Sequence, residues 1–290
     1  MGAGKRRSGA SIAAVLFAAC AVSVCLAATS RRSTVPLANN DSLFARTASQ
    51  LLERDFASRD ISYLLLDFRS RTIVARRWEN SDAAIPIGSL AKPFTALAYA
   101  EGHSFRFPEF TCSPGQCWYP RGHGKLGIVK AVAFSCNSYF ITLADGLRAS
   151  DVSVVANRFG LNGPGAEANA EVMAGEHGVW RESPERLARA YVELIGSRTQ
   201  PGVHEIVAGM ASSAKWGTAL GLAREAPNVA GLAKTGTSPC THKERAPGDG
   251  FVMVAWPSDS PQHLLLVRYH GHPGAQAAIV AGKMLHALQP

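Results

Sequence analysis

Three short motifs stand in a fixed order along the 290-residue chain, and they constrain its fold more than any other feature. They are Ser89-Leu90-Ala91-Lys92, Ser135-Cys136-Asn137 and Lys234-Thr235-Gly236-Thr237. Each motif combines a hydroxyl group with an amine or an amide, which are groups used in nucleophilic and proton-transfer chemistry. A fold that uses them together must bring three distant segments into one site.

The first motif has the spacing of a nucleophile and its base. On a helix, Ser89 and Lys92 lie one turn apart on the same face. Lysine can take a proton from serine only if its pKa is lowered by burial or by a second cation, for which Lys234 is the candidate. A second S-x-x-K, at Ser212 and Lys215, follows the S-x-N motif and breaks the order, so we interpret it as surface.

The second motif supplies groups that act around this pair. We expect the Ser135 hydroxyl to relay a proton to the leaving group. The Asn137 amide is expected to hold Lys92 and an amide of the substrate. Both residues are therefore candidate catalytic residues.

The third motif predicts a substrate-binding strand. We expect Lys234 and Thr235 to bind a carboxylate and the strand to pair with an extended peptide. Gly236 removes a side chain where that peptide approaches. The backbone N–H groups of Ser89 and Thr237 are the expected oxyanion hole.

The pattern of apolar residues predicts strands at both ends of the domain and helices between them. The expected strands are 62–67 and 72–78, which form a hairpin, and three later strands around 230–237, 251–256 and 264–269. Helices are predicted at 41–56, 89–99, 127–146, 149–159, from Ser183 onward and at 276–288, with an irregular excursion at 103–124. The fold class is therefore α+β, with an antiparallel sheet flanked by helices and an all-helical lobe.

The N-terminus has the pattern of an export signal. Lys5, Arg6 and Arg7 precede an apolar run at 12–26, which is shorter than the roughly 20 residues of a spanning helix. We assign 1–28 to a signal peptide or membrane anchor, 29–40 to a linker and 41–290 to the functional domain. A lipoprotein acceptor at Cys20 is an alternative, and the location is expected to be extracytoplasmic.

Export permits disulfides, and the sequence offers one local pair. Cys112 and Cys117 flank a turn-like Ser-Pro-Gly-Gln, so we predict a disulfide between them. A zinc site is the rival hypothesis and requires four ligands, for which His103 and His123 are nearby. We assign no metal and interpret Cys136 as a packed core residue.

The remaining charge pattern is less specific. A formal net charge of +8 suits an anionic polymer or a membrane surface, and also an ordinary solvated surface. Basic residues do not cluster with aromatics, so no nucleic-acid partner is expected. His270 and His272 have no carboxylate at a suitable spacing, and we interpret them as a pair at a strand end.

The ordered motifs resemble those of the penicillin-binding protein transpeptidase domain, within the serine β-lactamase superfamily. Further segments are similar: Pro86-Ile87-Gly88 before the serine, the helix beginning Ser183-Pro184-Glu185, and Gly209-Met210 before the third motif. Two positions depart from the family pattern. Ala233 stands where glycine usually precedes K-T-G, and Gly175-Glu176-His177-Gly178 replaces a Gly-Gln-Gly loop.

The resemblance implies a β-lactamase/transpeptidase-like fold, no cofactor, and a DD-transpeptidase or carboxypeptidase that acts on peptidoglycan stem peptides and is acylated by β-lactams. A class D-like serine β-lactamase is an alternative, which needs a second base for deacylation. Class D enzymes have an apolar residue where Asn137 stands, and Glu167-Ala168-Asn169 does not match the class A base motif. A non-catalytic β-lactam sensor or cell-wall binding module is the third hypothesis.

Overall fold

The computed structural model describes residues 40–240 and 245–289. The predicted signal or anchor at 1–28 and nearly all of the predicted linker lie outside the described residues. Within the residues that the structure describes, no helix is both long enough and apolar enough to cross a membrane.

A five-stranded antiparallel sheet forms the centre of the domain, with strand order β2-β1-β9-β8-β7. Its strands are β1 Ile61–Asp67, β2 Ile73–Arg77, β7 Leu232–Ser238, β8 Asp249–Trp256 and β9 His263–Tyr269. The predicted hairpin and the three later strands are therefore confirmed. The chain's first and last strands pair with each other, and β7 lies at an edge.

Both faces of this sheet are buried because apolar residues follow one another along the strands instead of alternating with polar ones. In β1, Leu64 and Leu66 pack into one core, whereas Tyr63 and Leu65 pack into a second. This alternation follows from the opposite directions of successive side chains in a strand.

The first and last helices, together with α9, cover one face of the sheet. They are α1 Asn40–Asp55, α9 Leu220–Glu225 and α10 Gly274–Ala287. The predicted apolar face of α1 packs as expected, with Leu52 fully buried and Phe44, Leu51 and Phe56 against the same core. The two predicted end helices are thus confirmed within one or two residues.

The other face packs against a helical lobe that lies between β2 and β7 in sequence. Its helices are α2 Lys92–Gly102, α3 Ile128–Phe134, α4 Asn137–Asp145, α5 Ala149–Arg158, α6 Ala170–Met173, α7 Pro184–Gly196 and α8 Val203–Trp216, and its short strands are β3 Ile85–Pro86, β4 Phe110–Cys112, β5 Gly124–Leu126 and β6 Arg181–Glu182. The α7 start is confirmed, because Ser183 Oγ accepts the N–H of Arg186 and Pro184 occupies the first helical position. The α+β fold class is therefore confirmed, but the lobe is not all-helical, because it also contains the two-stranded sheets β3-β6 and β4-β5.

One predicted helix is wrong. The pattern at 127–146 predicts a single helix, but the structure contains α3 and α4 separated by a break at Ser135 and Cys136. Ser135 adopts a left-handed conformation with φ +51°, and its N–H closes the last turn of α3 on the carbonyl of Val132. The apolar periodicity continues through this turn, so the break is invisible to it.

Candidate active site

Ser89 and Lys92 meet where a short 3-10 turn, Gly88–Ala91, leads into the buried helix α2. The Nζ atom of Lys92 lies 2.8 Å from Ser89 Oγ. The Lys92 side chain is fully buried, whereas Ser89 is half-buried and lines an open cleft. The structure thus brings the predicted pair together, with the hydroxyl on the cleft and the amine behind it.

Two groups of the S-x-N motif hold the same amine. Lys92 Nζ donates to Asn137 Oδ1 at 2.6 Å and to the carbonyl of Ser135 at 3.1 Å. With Ser89 Oγ, these acceptors satisfy the three donors of an ammonium group. A neutral amine in this position keeps two donors for Ser135 and Asn137 and directs its lone pair at Ser89.

Ser135 connects the second motif to the third. Its left-handed backbone is rare for a residue other than glycine and is typical of functional positions. Its carbonyl accepts from Lys92, and its Oγ accepts from Lys234 Nζ at 2.7 Å. One residue therefore contacts both lysine amines.

The K-T-G-T segment lies on β7, whose outer edge pairs with no other strand of the sheet among the described residues. Thr235 and Thr237 line the cleft, and Thr235 Oγ1 donates to Thr218 Oγ1 at 2.6 Å. Lys234 is fully buried, and its amine also donates to the Thr235 carbonyl at 2.7 Å. The amine of Lys234 is therefore separated from the cleft by the residues that it contacts, such as Thr235.

The reason for Gly236 differs from the one the sequence suggested. A Cβ at Gly236 would lie 3.1 Å from Leu90 Cγ and 3.3 Å from the Ile87 carbonyl, within the protein. A Cβ at Gly88 would collide with the carbonyl of Thr237. The two glycines therefore allow β7 to pack directly against the turn that carries the serine.

The two buried amines have lowered pKa values. Burial lowers the pKa of Lys92, and the nearby carboxylate of Glu176 opposes this effect. Burial lowers the pKa of Lys234 well below its ordinary value, and the charge of Lys92 lowers it further. The sequence predicted that Lys234 and burial would both lower the pKa of Lys92; burial does so, whereas the charge effect between the two lysines acts on Lys234. Two buried amines bonded to one serine disfavour being protonated together.

Glu176 is a site residue to which the sequence assigned no role. Its Oε1 lies 3.8 Å from Lys92 Nζ, and its side chain lines the cleft. Gly175, with φ +86°, packs so tightly that a Cβ there would collide with the Gly88 carbonyl. His177 points elsewhere, toward Glu171 at 2.8 Å. Gly175 and Gly178 flank Glu176 and His177 in the sequence. These two glycines were the available signal that the loop approaches another backbone.

A cleft of about 1000 Å³ lies over these groups. Ser89, Asn137, Glu176 and Thr237 lie along its floor and walls, and Trp118 borders it. This volume is at the upper end of the range for small-molecule sites, and it suits a peptide-sized ligand. The second S-x-x-K lies on α8, where Lys215 is exposed, so its interpretation as surface is confirmed.

The predicted disulfide between Cys112 and Cys117 is wrong, because both are free thiols. Pairing of β4 with β5 places His123 beside Cys112, with Nδ1 at 3.6 Å from Sγ. Cys117 turns instead toward Cys136, with 3.9 Å between the sulfurs. Cys136 is packed in the core, as the sequence predicted, and its sulfur also faces that of Cys117.

Of the histidines considered from the sequence, His123 lies beside these cysteines, whereas His103, His270 and His272 do not. His103 stacks on Tyr99 at the end of α2, with 3.8 Å between ring centroids, so it is not part of the cysteine group. His270 lies 3.3 Å from Ser62 Oγ, and His272 stacks on Tyr269. The interpretation of His270 and His272 as a pair at the end of β9 is consistent with these contacts.

No protein-family model matches the sequence, and no curated protein matches it. Solved structures do match. The transpeptidase domain of Burkholderia pseudomallei penicillin-binding protein 3 is 14% identical, with 85% of this chain and 92% of that chain covered and a TM-score of 0.66.

The chain has the fold of a penicillin-binding transpeptidase domain. Penicillin-binding protein 2 from Helicobacter pylori is 15% identical over 84% of this chain and 62% of that one, with a TM-score of 0.71. PBPA from Mycobacterium tuberculosis is 14% identical over 84% and 78%, with a TM-score of 0.66. The transpeptidase fold therefore persists here at very low sequence identity.

Proposed function

We propose that this chain is a serine acyl transferase of the DD-transpeptidase or carboxypeptidase type, which forms an ester on Ser89 with peptidoglycan stem peptides and with β-lactams. The observation that carries the proposal is the 2.8 Å contact between Lys92 Nζ and Ser89 Oγ. Burial lowers the pKa of Lys92, which favours the neutral amine that a base requires.

In the proposed acylation, neutral Lys92 takes the proton of Ser89 as Oγ attacks the carbonyl carbon of the scissile amide. The backbone N–H groups of Ser89 and Thr237 stabilise the negative oxygen of the intermediate. The C–N bond then breaks, and the leaving nitrogen takes the proton of the Ser135 hydroxyl. Lys234 returns a proton to Ser135, so the proton gained by Lys92 balances the one lost by Lys234.

The second step reverses these transfers. An amine of another stem peptide, or water, attacks the ester carbonyl, and Ser89 recovers its proton. An amine gives a cross-link, whereas water gives a shortened peptide. Which acceptor enters decides between transpeptidase and carboxypeptidase activity.

The open edge of β7 supports an extended peptide as the substrate, since edge strands bind peptides through main-chain hydrogen bonds. Thr235 and Thr237 place hydroxyl groups along this edge, where a terminal carboxylate would lie. A carboxylate bound there would in turn stabilise the protonated form of Lys234, whose pKa burial lowers. The export-like N-terminus agrees with a substrate in the cell envelope, and we propose an extracytoplasmic location with attachment through that segment as an alternative.

Glu176 supports a second candidate function, a serine β-lactamase. Rapid hydrolysis of the acyl-enzyme requires a base for water, and the Glu176 carboxylate lies 3.8 Å from Lys92 Nζ on the cleft wall. Asn137, which bonds Lys92, differs from the apolar residue of class D enzymes.

Intact mass spectrometry with benzylpenicillin tests these functions. Acyl transfer predicts a mass gain equal to the whole penicillin, which Ser89→Ala abolishes and Ser212→Ala, in the second S-x-x-K, retains. Slow loss of the adduct over hours supports the transpeptidase, whereas rapid turnover supports the β-lactamase. A folded wild-type protein that gains no mass and hydrolyses no penicillin refutes both. A persistent adduct without release of D-Ala from a D-Ala-D-Ala peptide indicates a non-catalytic sensor.

A further inference from the structure

Three cysteine sulfurs and one imidazole converge beside the S-x-N motif, and we call them the Cys3His cluster: Cys112, Cys117, His123 and Cys136. All four ligand atoms lie within 4.8 Å of one another. Cys112 and Cys136 are buried, and the other two are half-buried. The sequence offered Cys112, Cys117 and His123 only as the rival to a disulfide, and it did not predict Cys136 as the fourth member, because that depends on the path of the excursion between α2 and α3.

Two distances in the Cys3His cluster match the edges of a metal tetrahedron. Zinc binds sulfur at about 2.3 Å and nitrogen at about 2.0–2.1 Å, which places two sulfurs about 3.8 Å apart and sulfur and nitrogen about 3.6 Å apart. Here Cys117 Sγ and Cys136 Sγ are 3.9 Å apart, and Cys112 Sγ is 3.6 Å from His123 Nδ1. A disulfide requires about 2.05 Å, so Cys117 and Cys136 are not bonded to each other.

The surroundings of the cluster also suit a metal. Backbone N–H groups of Tyr119, Asn137 and Ser138 lie near the sulfur of Cys117, an arrangement that stabilises a thiolate. The Nε2 atom of His123 is buried and has no hydrogen-bond partner among the described residues. A metal ion among the sulfurs would bind the ring through Nδ1, the nitrogen 3.6 Å from Cys112 Sγ.

Apolar rings shield one side of the cluster. His123 stacks on Phe134 with 5.3 Å between ring centroids and meets Trp118 edge-on at 5.4 Å. Thiolates and imidazole are soft or borderline ligands, and the cluster contains no carboxylate, so the donor set disfavours calcium and magnesium.

We propose that the Cys3His cluster binds one zinc ion as a closed structural site with four protein ligands. Binding releases the protons of the three thiols to solvent. Because all four positions are filled by side chains, the ion has no open position for a substrate.

Such an ion would join the excursion to the second catalytic motif. Cys136 stands between Ser135 and Asn137, whereas Cys112 and Cys117 belong to the excursion. Existing contacts follow the same path, since Trp118 Nε1 donates to the Ser135 carbonyl at 3.3 Å. The metal would therefore hold the peptide segment that positions Ser135 and Asn137.

The first test uses the wild-type protein after export and purification without chelators. Elemental analysis should find one zinc per chain. After zinc removal under reducing conditions, titration with Co²⁺ should give a thiolate-to-cobalt charge-transfer band and the strong visible bands of tetrahedral cobalt. This measurement does not depend on catalytic activity and needs no variant to fold.

Variants then identify the ligands. Cys112→Ser and His123→Ala should each lower zinc affinity by about 10–100-fold or more, which is the loss caused even by outer partners of a ligand. His103→Ala and Cys240→Ser are matched controls outside the cluster and should keep full zinc content. Zinc retained at wild-type affinity by both ligand variants overturns the proposal. So does a metal-free wild type with a mass 2 Da below the reduced chain, which would indicate a disulfide instead.

Discussion

Lys234 Nζ lies 2.7 Å from Ser135 Oγ, and both groups are buried. The carbonyl of the same serine accepts from Lys92, which in turn contacts Ser89. Ser135 therefore contacts one amine through its hydroxyl group and the other through its carbonyl. These contacts connect the three motifs in one site.

Lys92→Ala should slow acylation of Ser89 by roughly 10²–10⁴-fold, because it removes the base from the pair. The rate of labelling by a fluorescent penicillin measures this effect. Lys215→Ala is the matched control, since Lys215 has the same spacing from Ser212 but is exposed on α8. Acylation of Lys92→Ala within a few-fold of wild type would place the base elsewhere.

Glu176→Gln should move the pH profile of acylation to lower pH. Acylation needs neutral Lys92, so its rate rises as pH passes the pKa of this amine. The Glu176 carboxylate raises that pKa, and its neutralisation removes the effect. Labelling rates of wild type and variant across pH check this prediction. An inflection that is unchanged, or that moves to higher pH, would contradict the assigned interaction.

The same variant separates the two candidate functions. If Glu176 is a base for water, Glu176→Gln should also lengthen the lifetime of the penicillin adduct by about 10²–10⁴-fold. Glu171→Gln is a suitable control on the neighbouring helix, where Glu171 contacts His177. Equal adduct lifetimes in wild type and Glu176→Gln would remove the support for a β-lactamase.

Zinc removal from the Cys3His cluster should slow acylation on the order of tenfold, because Ser135 and Asn137 flank the ligand Cys136. Re-addition of zinc should restore the rate. The measurement is penicillin labelling of one preparation before chelation, after chelation and after zinc is returned. Chelated protein that retains the fold and labels at the original rate would show that the motif holds its geometry without the metal.

Arg268→Met should lower the free energy of unfolding by about 3–5 kcal/mol, because it leaves the buried Asp249 carboxylate without its main partner. Burial by itself raises the pKa of Asp249, but hydrogen bonds from Arg268 and the Gly271 N–H outweigh it and lower the pKa. Denaturant unfolding at pH 7 measures the loss. A change below 1 kcal/mol would be inconsistent with a desolvated pair.

The pH dependence of this pair has a definite sign. With a lowered pKa in the folded state, Asp249 contributes stability at pH above the ordinary aspartate value of about 3.9. That contribution is lost as pH falls through the lower folded pKa. Asp249→Asn should therefore reduce the difference in stability between pH 7 and pH 3 relative to wild type.

The sequence predicted the sheet and the outer helices because their apolar patterns are long and their ends carry strong signals such as Ser183-Pro184. It missed the break at Ser135, since a single left-handed residue leaves the hydrophobic period intact. It also missed Glu176 and the partners of Cys136. These depend on contacts between distant backbones, such as Gly175 against Gly88, which no local pattern encodes.

The pairing of β1 with β9 has a consequence for how the chain folds. Ile61 pairs with Tyr269, so the centre of the sheet cannot close until both ends of the domain are present. The helical lobe lies within the loop that this pairing closes. Such non-local pairing slows folding. The apolar strands β1 and β2 remain exposed until β9 is available for pairing. Protection of these strands until β9 has been synthesised is therefore a requirement set by topology.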